Sequence, residues 1–405
     1  MPSSGARIES FDALRGLAAC SVVIGHFLLV LRGAENPPYA GWHDAVLAYF
    51  GHTPLSILWS GHAAVVLFFV LSGFVLQLML EGGRLTYGAY AAKRILRLYL
   101  PYIVAVGLGV AGQQWLYGGD LAGLGDWINK FWTDDPGPRA MLGHLTVIGA
   151  FDSSTYDFAI WTLVHEMRIS LLFPLVFLMI RRLRWWTVLG GFGLASVVMA
   201  GLRIAVFSGH DELAGFARDG GYTAYVFTVH YLLAFAIGGV LADRRESLAA
   251  IYAGLPARTR ALLLALGLTL YVYGPRAMEV TGTHEMIVGD WLLMPGAALL
   301  LIAAAYEPAL ARGLARAPLR YLGRISYSLY LFHPLVLLAM LHAGHTHIGL
   351  GWLLALAFVA SFVVADLAQR CIERPAIGIA RAAGRALASL WRHTGTAGTG
   401  LPARA

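Results

Sequence analysis

Long apolar segments with few charges recur along the whole chain, and they constrain its fold more than any other feature. About ten of them have roughly the length that a helix needs to cross about 30 Å of hydrocarbon. With 58% hydrophobic and 13% charged residues, the 405-residue chain cannot hide this surface inside a water-soluble domain. Because a lipid-embedded backbone must pair its amide groups internally, the sequence predicts an all-α, polytopic membrane helix bundle.

The predicted spans cover most of the chain. They are residues 11–31, 59–80, 94–117, 158–181, 185–207, 223–242, 260–275, 290–306, 325–342 and 349–371. The seventh and eighth are the shortest, and the first lacks the small-residue cleavage site of a signal peptide. We therefore expect one membrane domain over residues 1–380, followed by a basic, disordered tail over 381–405.

The arginines are concentrated in alternate loops. Cytoplasmic loops retain Lys and Arg, and with the N-terminus inside, most of the 30 basic residues fall in cytoplasmic segments. The sequence thus predicts a multi-pass protein of the inner (cytoplasmic) membrane, embedded in the lipid bilayer with both termini cytoplasmic. The net charge of +7 is then explained by membrane orientation, and no nucleic-acid partner is expected.

Two ionisable residues in the predicted spans suggest a reaction centre, because such side chains are costly in hydrocarbon. Helix geometry places His26 about 9 Å and Glu166 about 12 Å below the outer surface. A carboxylate beside an imidazole fixes the ring tautomer, which suits a general base that takes a proton from an alcohol. The alternative for each is a structural hydrogen bond between helices.

A basic cluster opens the third span. Arg94 and Arg97 are three positions apart and lie on one helix face beside Lys93. Arginine binds phosphate oxygens bidentately, so the cluster suits a phosphate-bearing ligand that arrives from the cytoplasm. Spacing alone favours the alternative, an anchor for the positive-inside rule or a contact with lipid headgroups.

The ninth span carries a polar stripe. Ser326, Tyr330 and His333 are at i, i+4 and i+7, on one helix face. Such a stripe must face protein or a water-filled cavity, either as contacts between helices or as an acceptor site.

No metal is expected in this chain. Cys20 and Cys371 are far apart in sequence and offer neither a disulfide framework nor a metal pair. The histidines His342, His345 and His347 match no common zinc signature.

Six motifs occur in the order and spacing of one known family. They are FDALRGLAACSVVIGHF, VLFFVLSGFVL, KRILRLYLPY, WTLVHE, ISYSLYLFHP and IERP. With them the chain resembles, over about residues 8–375, the membrane acyltransferase 3 family of bacterial O-acyltransferases, related to O-antigen, peptidoglycan and exopolysaccharide acetylating enzymes. The resemblance implies a ten-helix domain that moves an acyl group, commonly acetyl from acetyl-CoA, to a hydroxyl, often on an envelope glycan.

The resemblance also implies roles for single residues. Arg15 and His26 match the family's arginine–histidine motif, and His26 is expected to be the catalytic histidine. Arg94 and Arg97 match the basic motif associated with CoA, which makes the phosphate interpretation the favoured one. We expect Arg15 to join them in binding the acyl-CoA donor, with no metal cofactor.

On the acceptor side, Trp161 and Glu166 match the fourth-helix motif of the family. The sequence MRIS follows the glutamate where an aromatic residue and a tyrosine are frequent in the family, so contacts near the acceptor are expected to differ. We expect Trp161 to bind the acceptor together with the polar stripe of Ser326, Tyr330 and His333.

The expected acceptor is a cell-envelope carbohydrate or glycan precursor, and the alternative is a small hydrophobic metabolite such as a macrolide or lipid. Some family members carry an extracytoplasmic hydrolase-like domain, so this chain either completes the transfer itself or passes the acyl group to a separate extracytoplasmic protein. Two hypotheses come from other classes: a transporter or flippase with proton-coupling residues, and a non-catalytic subunit of a glycan assembly complex.

Overall fold

The fold is a bundle of long helices. A computed structural model of the chain describes residues 9–35, 39–82, 86–133, 137–147, 151–207, 223–276 and 286–396, and no β-strand occurs among them. The apolar segments form α1 (Glu9–Val30), α2 (Gly61–Glu81), α3 (Tyr87–Leu116), α4 (Ile160–Arg182), α5 (Trp185–Phe207), α6 (Thr223–Asp243), α7 (Ala257–Tyr273), α8 (Met286–Tyr306), α9 (Ala317–Gly344) and α10 (Leu350–Ala368), and α11 (Arg374–Thr396) follows.

Within the described ranges, nine helices are long and apolar enough to cross a membrane. The ninth runs from α10 through a π-helical turn at Gln369–Glu373 into α11. The predicted all-α, multi-pass bundle is therefore confirmed. Helix α7 is not among these nine, because its 17 residues are one fewer than the 18 required of a candidate span. Helix α8 was predicted to begin at residue 290, but it begins at Met286, because Asp290 is buried within the helix and does not end it.

Short helices connect the long ones. A 3₁₀ turn at Pro54–Trp59 leads into α2, and the stretch between α3 and α4 contains helices at Asp126–Asn129 and Gly137–Thr146. The remaining short helices are Trp42–Phe50, Arg245–Gly254 and Pro308–Leu314.

Part of the predicted tail is helical. Residues 381–396 continue α11, and residues 397–405 lie outside the described ranges. Ala376 and Ala380 are buried, while Arg381 is exposed, so the helix has one apolar face. This face packs along α3, and packing of an amphipathic face stabilises a helix that composition alone does not predict.

Helices α2 and α6 approach each other closely at two glycines. A Cβ added at Gly73 would overlap the backbone of Phe235, and one added at Gly238 would overlap the carbonyl oxygen of Val70. Small residues at such crossings bring helix backbones together in membranes, where van der Waals packing drives association.

The close crossing makes Gly238 intolerant of even one methyl group. We expect Gly238→Ala to lower the free energy of unfolding by about 1–3 kcal/mol, because α6 must shift to relieve the overlap. Gly190→Ala is the matched control, since nothing lies within 4 Å of its added Cβ. Thermal unfolding in detergent measures both, and equal stability of the two variants would contradict the close approach.

A histidine between α3 and α4 gives the fold a pH dependence. His144 is fully buried in the short helix Gly137–Thr146, with its ring against Tyr156 and Phe151 and its Nδ1 2.9 Å from the hydroxyl of Tyr102. Burial lowers the pKa of His144 from its usual 6.5 to about 4.

Because the folded protein binds this proton less tightly than the unfolded chain, the stability contributed by neutral His144 is present above pH 6.5. We expect it to be lost, at about 1.4 kcal/mol per pH unit, as the pH falls from 6.5 towards 4. Unfolding of wild type and His144→Gln across this range tests the expectation. Parallel stability curves for the two proteins would contradict it.

Candidate active site

A pair of histidines lies where α1 packs on α9. Nδ1 of His26 is 2.8 Å from Nε2 of His333, and the two rings stack with centroids 5.1 Å apart. Phe158 meets the His26 ring edge-on, and Trp127 stacks on it. The sequence indicated both histidines but did not indicate that they pair.

The backbone of α9 fixes the tautomers of this pair. Nδ1 of His333 is 2.9 Å from the carbonyl oxygen of Leu329, which can only accept, so Nδ1 carries the hydrogen and donates it. In an uncharged ring, Nε2 of His333 is then an acceptor, and it receives a hydrogen bond from Nδ1 of His26. Nε2 of His26 is left with the lone pair, as a general base requires.

Glu166 has other partners. It accepts hydrogen bonds from Ser72 Oγ of α2 at 3.1 Å and from an Nη of Arg94 of α3 at 3.2 Å. The predicted pairing of Glu166 with His26 is wrong, because α4 turns the carboxylate towards these two helices. His333, and not a carboxylate, orients His26.

The basic residues matched to the family's donor motifs line one pocket, which we call the basic pocket. Arg94 is buried there, and besides Glu166 it binds Ser170 Oγ at 2.7 Å. Within the described residues, Arg15 and Arg97 form no ion pair. The polar lining of the pocket is Arg15, Ser72, Arg94, Arg97, Glu166, Tyr327 and Glu373. Three arginines against two glutamates leave the pocket cationic, which suits an anionic ligand.

Two helices link the basic pocket to the histidine pair. Along α1, Arg15 and His26 are about 17 Å apart, and along α9, Tyr327 and His333 are about 9 Å apart. An extended ligand with its anionic end in the pocket can therefore direct its other end towards His26.

The predicted acceptor residues do not form one surface. Tyr330 is buried, with its hydroxyl 2.8 Å from Thr162 Oγ1, and Ser326 donates to the carbonyl oxygen of Gly323 in its own helix. Trp161 packs near Tyr231 on α6. Among the four residues predicted to bind the acceptor, His333 is the one that contacts His26 in the structure.

A second polar cluster, which was not predicted from the sequence, consists of His62, Asp290 and His230, and we call it the His–Asp–His cluster. The Asp290 carboxylate is 2.5 Å from Nε2 of His62 and 3.1 Å from Nε2 of His230. Nδ1 of His230 lies 2.7 Å from Ser196 Oγ, which also accepts from the Trp291 indole. The signal was present, since Asp290 and His230 are ionisable residues in apolar runs. In the described part of the chain, no group of His, Cys, Asp or Glu is arranged to hold a metal ion.

Comparison with known families adds to this geometry. Residues 8–370 match the family described as an acyltransferase domain, and this range includes α1 to α10 and both histidines of the pair. No curated protein and no solved structure matches the chain. Since the family match covers nearly the whole of a multi-pass helix bundle, the chain belongs to the acyltransferase 3 family of membrane acyltransferases.

Proposed function

We propose that the protein transfers an acyl group, in the first instance acetyl, from acyl-CoA to a hydroxyl of a cell-envelope carbohydrate or glycan precursor. The observation that carries this proposal is the chain of contacts from His26 Nδ1 to His333 Nε2 and from His333 Nδ1 to the Leu329 carbonyl oxygen, since this pattern leaves Nε2 of His26 with a lone pair. A neutral, oriented imidazole activates an alcohol for attack on a thioester.

The donor end of the proposal rests on the basic pocket. Arginine forks bind phosphate oxygens, and among the described residues Arg15 and Arg97 form no direct ion pair, so their guanidinium groups are not committed to a carboxylate. The pyrophosphate of CoA would lie in this pocket, with its pantetheine arm following α9 from Tyr327 towards His333. The pocket and the base can thus lie at different levels of the bundle.

In the proposed reaction, Nε2 of His26 takes the hydroxyl proton as the alcohol oxygen attacks the thioester carbonyl. The C–S bond breaks, the acyl–oxygen bond forms, and the imidazolium returns its proton to the departing thiolate. His333 continues to accept from Nδ1 throughout, so the ring keeps its orientation. A second route forms a transient acyl bond to Nε2, with the acceptor attacking afterwards.

We further propose that the protein lies in the inner membrane with the basic pocket open to the cytoplasm, where acyl-CoA is found. The acceptor would be modified near the opposite surface, directly or through a separate extracytoplasmic transferase. The clustering of basic residues in alternate loops supports this orientation.

Acetyl-CoA turnover by purified protein in lipid nanodiscs tests the proposal. CoA release is followed with a thiol reagent, and the acylated product is identified by mass spectrometry with envelope glycans as acceptors. We expect turnover in wild type and an about 10- to 100-fold higher KM for acetyl-CoA in Arg97→Ala, the cost of a lost charged hydrogen bond. Arg182→Ala, an exposed arginine at the end of α4, is the control. Acceptor transport without thioester cleavage would favour a transporter instead.

A further inference from the structure

A line of positive charge continues from the basic pocket onto α11. Lys93 precedes Arg94 on α3 and lies beside α11, where a Cβ added at Gly384 would be 3.6 Å from the Cβ of Lys93. Arg381 is one turn before Gly384 and therefore lies on the same side of α11, within electrostatic range of the Lys93 ammonium, as are Arg94 and Arg97. The positive charges of the pocket therefore continue through Lys93 to Arg381 on α11.

Lys93 and Arg381 have no carboxylate within ion-pair distance in the described part of the chain. Among the described residues, neither Lys93 nor Arg381 forms an ion pair, whereas Arg245 binds Glu81 at 2.6 Å and an arginine on the π-helical turn binds Asp366. Like charges held together without a counter-charge are unfavourable. A bound anion between Lys93 and Arg381 would remove this cost.

The family match does not account for this feature. It ends at residue 370, before α11 begins at Arg374, so Arg381 lies outside the matched range. Helix α11 nevertheless packs along α3 and places the exposed Arg381 near Lys93, whose chain neighbour Arg94 lines the basic pocket. An anionic ligand that extends out of the basic pocket along α3 would meet this arginine.

We propose that Lys93 and Arg381 form a phosphate subsite beside the basic pocket and that it binds the 3′-phosphate of acyl-CoA. This inference rests on the proposed function. Coenzyme A carries two separate anionic groups, a pyrophosphate and a phosphate monoester on the ribose. The arginines of the basic pocket suit the pyrophosphate, and the Lys93–Arg381 pair suits the doubly charged monoester. An anionic lipid headgroup offers the same phosphate chemistry and is the alternative source.

Equilibrium binding of CoA and of 3′-dephospho-CoA to the full-length protein tests the subsite without requiring turnover. Calorimetry is done in nanodiscs of neutral lipid and in nanodiscs that contain anionic lipid. We expect wild type to bind CoA about 10- to 100-fold more tightly than 3′-dephospho-CoA in both. Arg381→Ala and Lys93→Ala should weaken CoA binding towards that of 3′-dephospho-CoA and leave the latter unchanged.

Two further variants sharpen the test. Arg381→Lys keeps the charge and should retain part of the preference for CoA, and Arg182→Ala should bind both ligands as wild type does. Because the preference is a ratio measured on one preparation, partial misfolding of a variant does not mimic the expected result.

Three results would overturn the subsite: equal affinity of wild type for both ligands, equal weakening of both in Arg381→Ala, or an Arg381→Ala variant that keeps the preference and loses only a dependence on anionic lipid. The last would assign the phosphate to a lipid. If wild type bound neither ligand and released no CoA from acetyl-CoA, the proposed function itself would fail. Binding without a 3′-phosphate preference would reject the subsite alone.

Discussion

His26→Ala is expected to lower kcat for acyl transfer from acetyl-CoA by about 100- to 10,000-fold. The loss follows from the geometry, because Nε2 of His26 is the nitrogen of the pair that is left to accept a proton. Binding of CoA should persist, since the basic pocket lies about 17 Å further along α1. Single-turnover assays for the acyl product and calorimetry for CoA separate the two effects.

His333 variants test how the base is oriented. His333→Phe removes the acceptor for Nδ1 of His26, and we expect a lower kcat with an unchanged KM for acetyl-CoA. His333→Gln offers a side-chain oxygen in place of the ring nitrogen and should restore part of the rate, which a purely structural role would not explain. Full acyl transfer by His26→Ala would show that His26 is not the general base.

The membrane fold could be predicted from the sequence because it follows from apolar length alone. Each of the ten predicted spans corresponds to one of the helices α1 to α10. The differences lie at the ends of elements. The span predicted at 290–306 begins earlier, at Met286, and the basic tail predicted from residue 381 is helical to residue 396, because packing against neighbouring helices extends both.

The residues of the site could be identified, but not their pairing. His26, Glu166 and Arg94 were candidates because ionisable groups are costly in hydrocarbon. Depth along a helix can be estimated from sequence, whereas the rotation of α4 about its axis cannot. That rotation places Glu166 beside Arg94, and His26 pairs with His333 instead. The family resemblance supplied roles for these positions and no contacts between them.

The His–Asp–His cluster was not predicted for the same reason, because helix rotation cannot be estimated from sequence. The cluster is expected to contribute strongly to the free energy of unfolding. Asp290→Ala is expected to lower the free energy of unfolding by about 3–5 kcal/mol, as removal of one partner from a buried charged network does. The fully buried carboxylate of α8 accepts from His62 of α2 and His230 of α6, and His230 binds Ser196 of α5. Its loss removes an acceptor shared by histidines of two other helices.

Substitutions of graded severity separate this role from simple loss of packing. Asp290→Asn keeps one oxygen acceptor but turns an amide donor towards the other histidine, so we expect a smaller loss of about 1–3 kcal/mol. Denaturant unfolding in detergent measures both variants, and CoA binding measured well below the unfolding midpoint should match wild type, because the cluster shares no residue with the basic pocket. An Asp290→Ala protein as stable as wild type would show that the network does not hold these helices together.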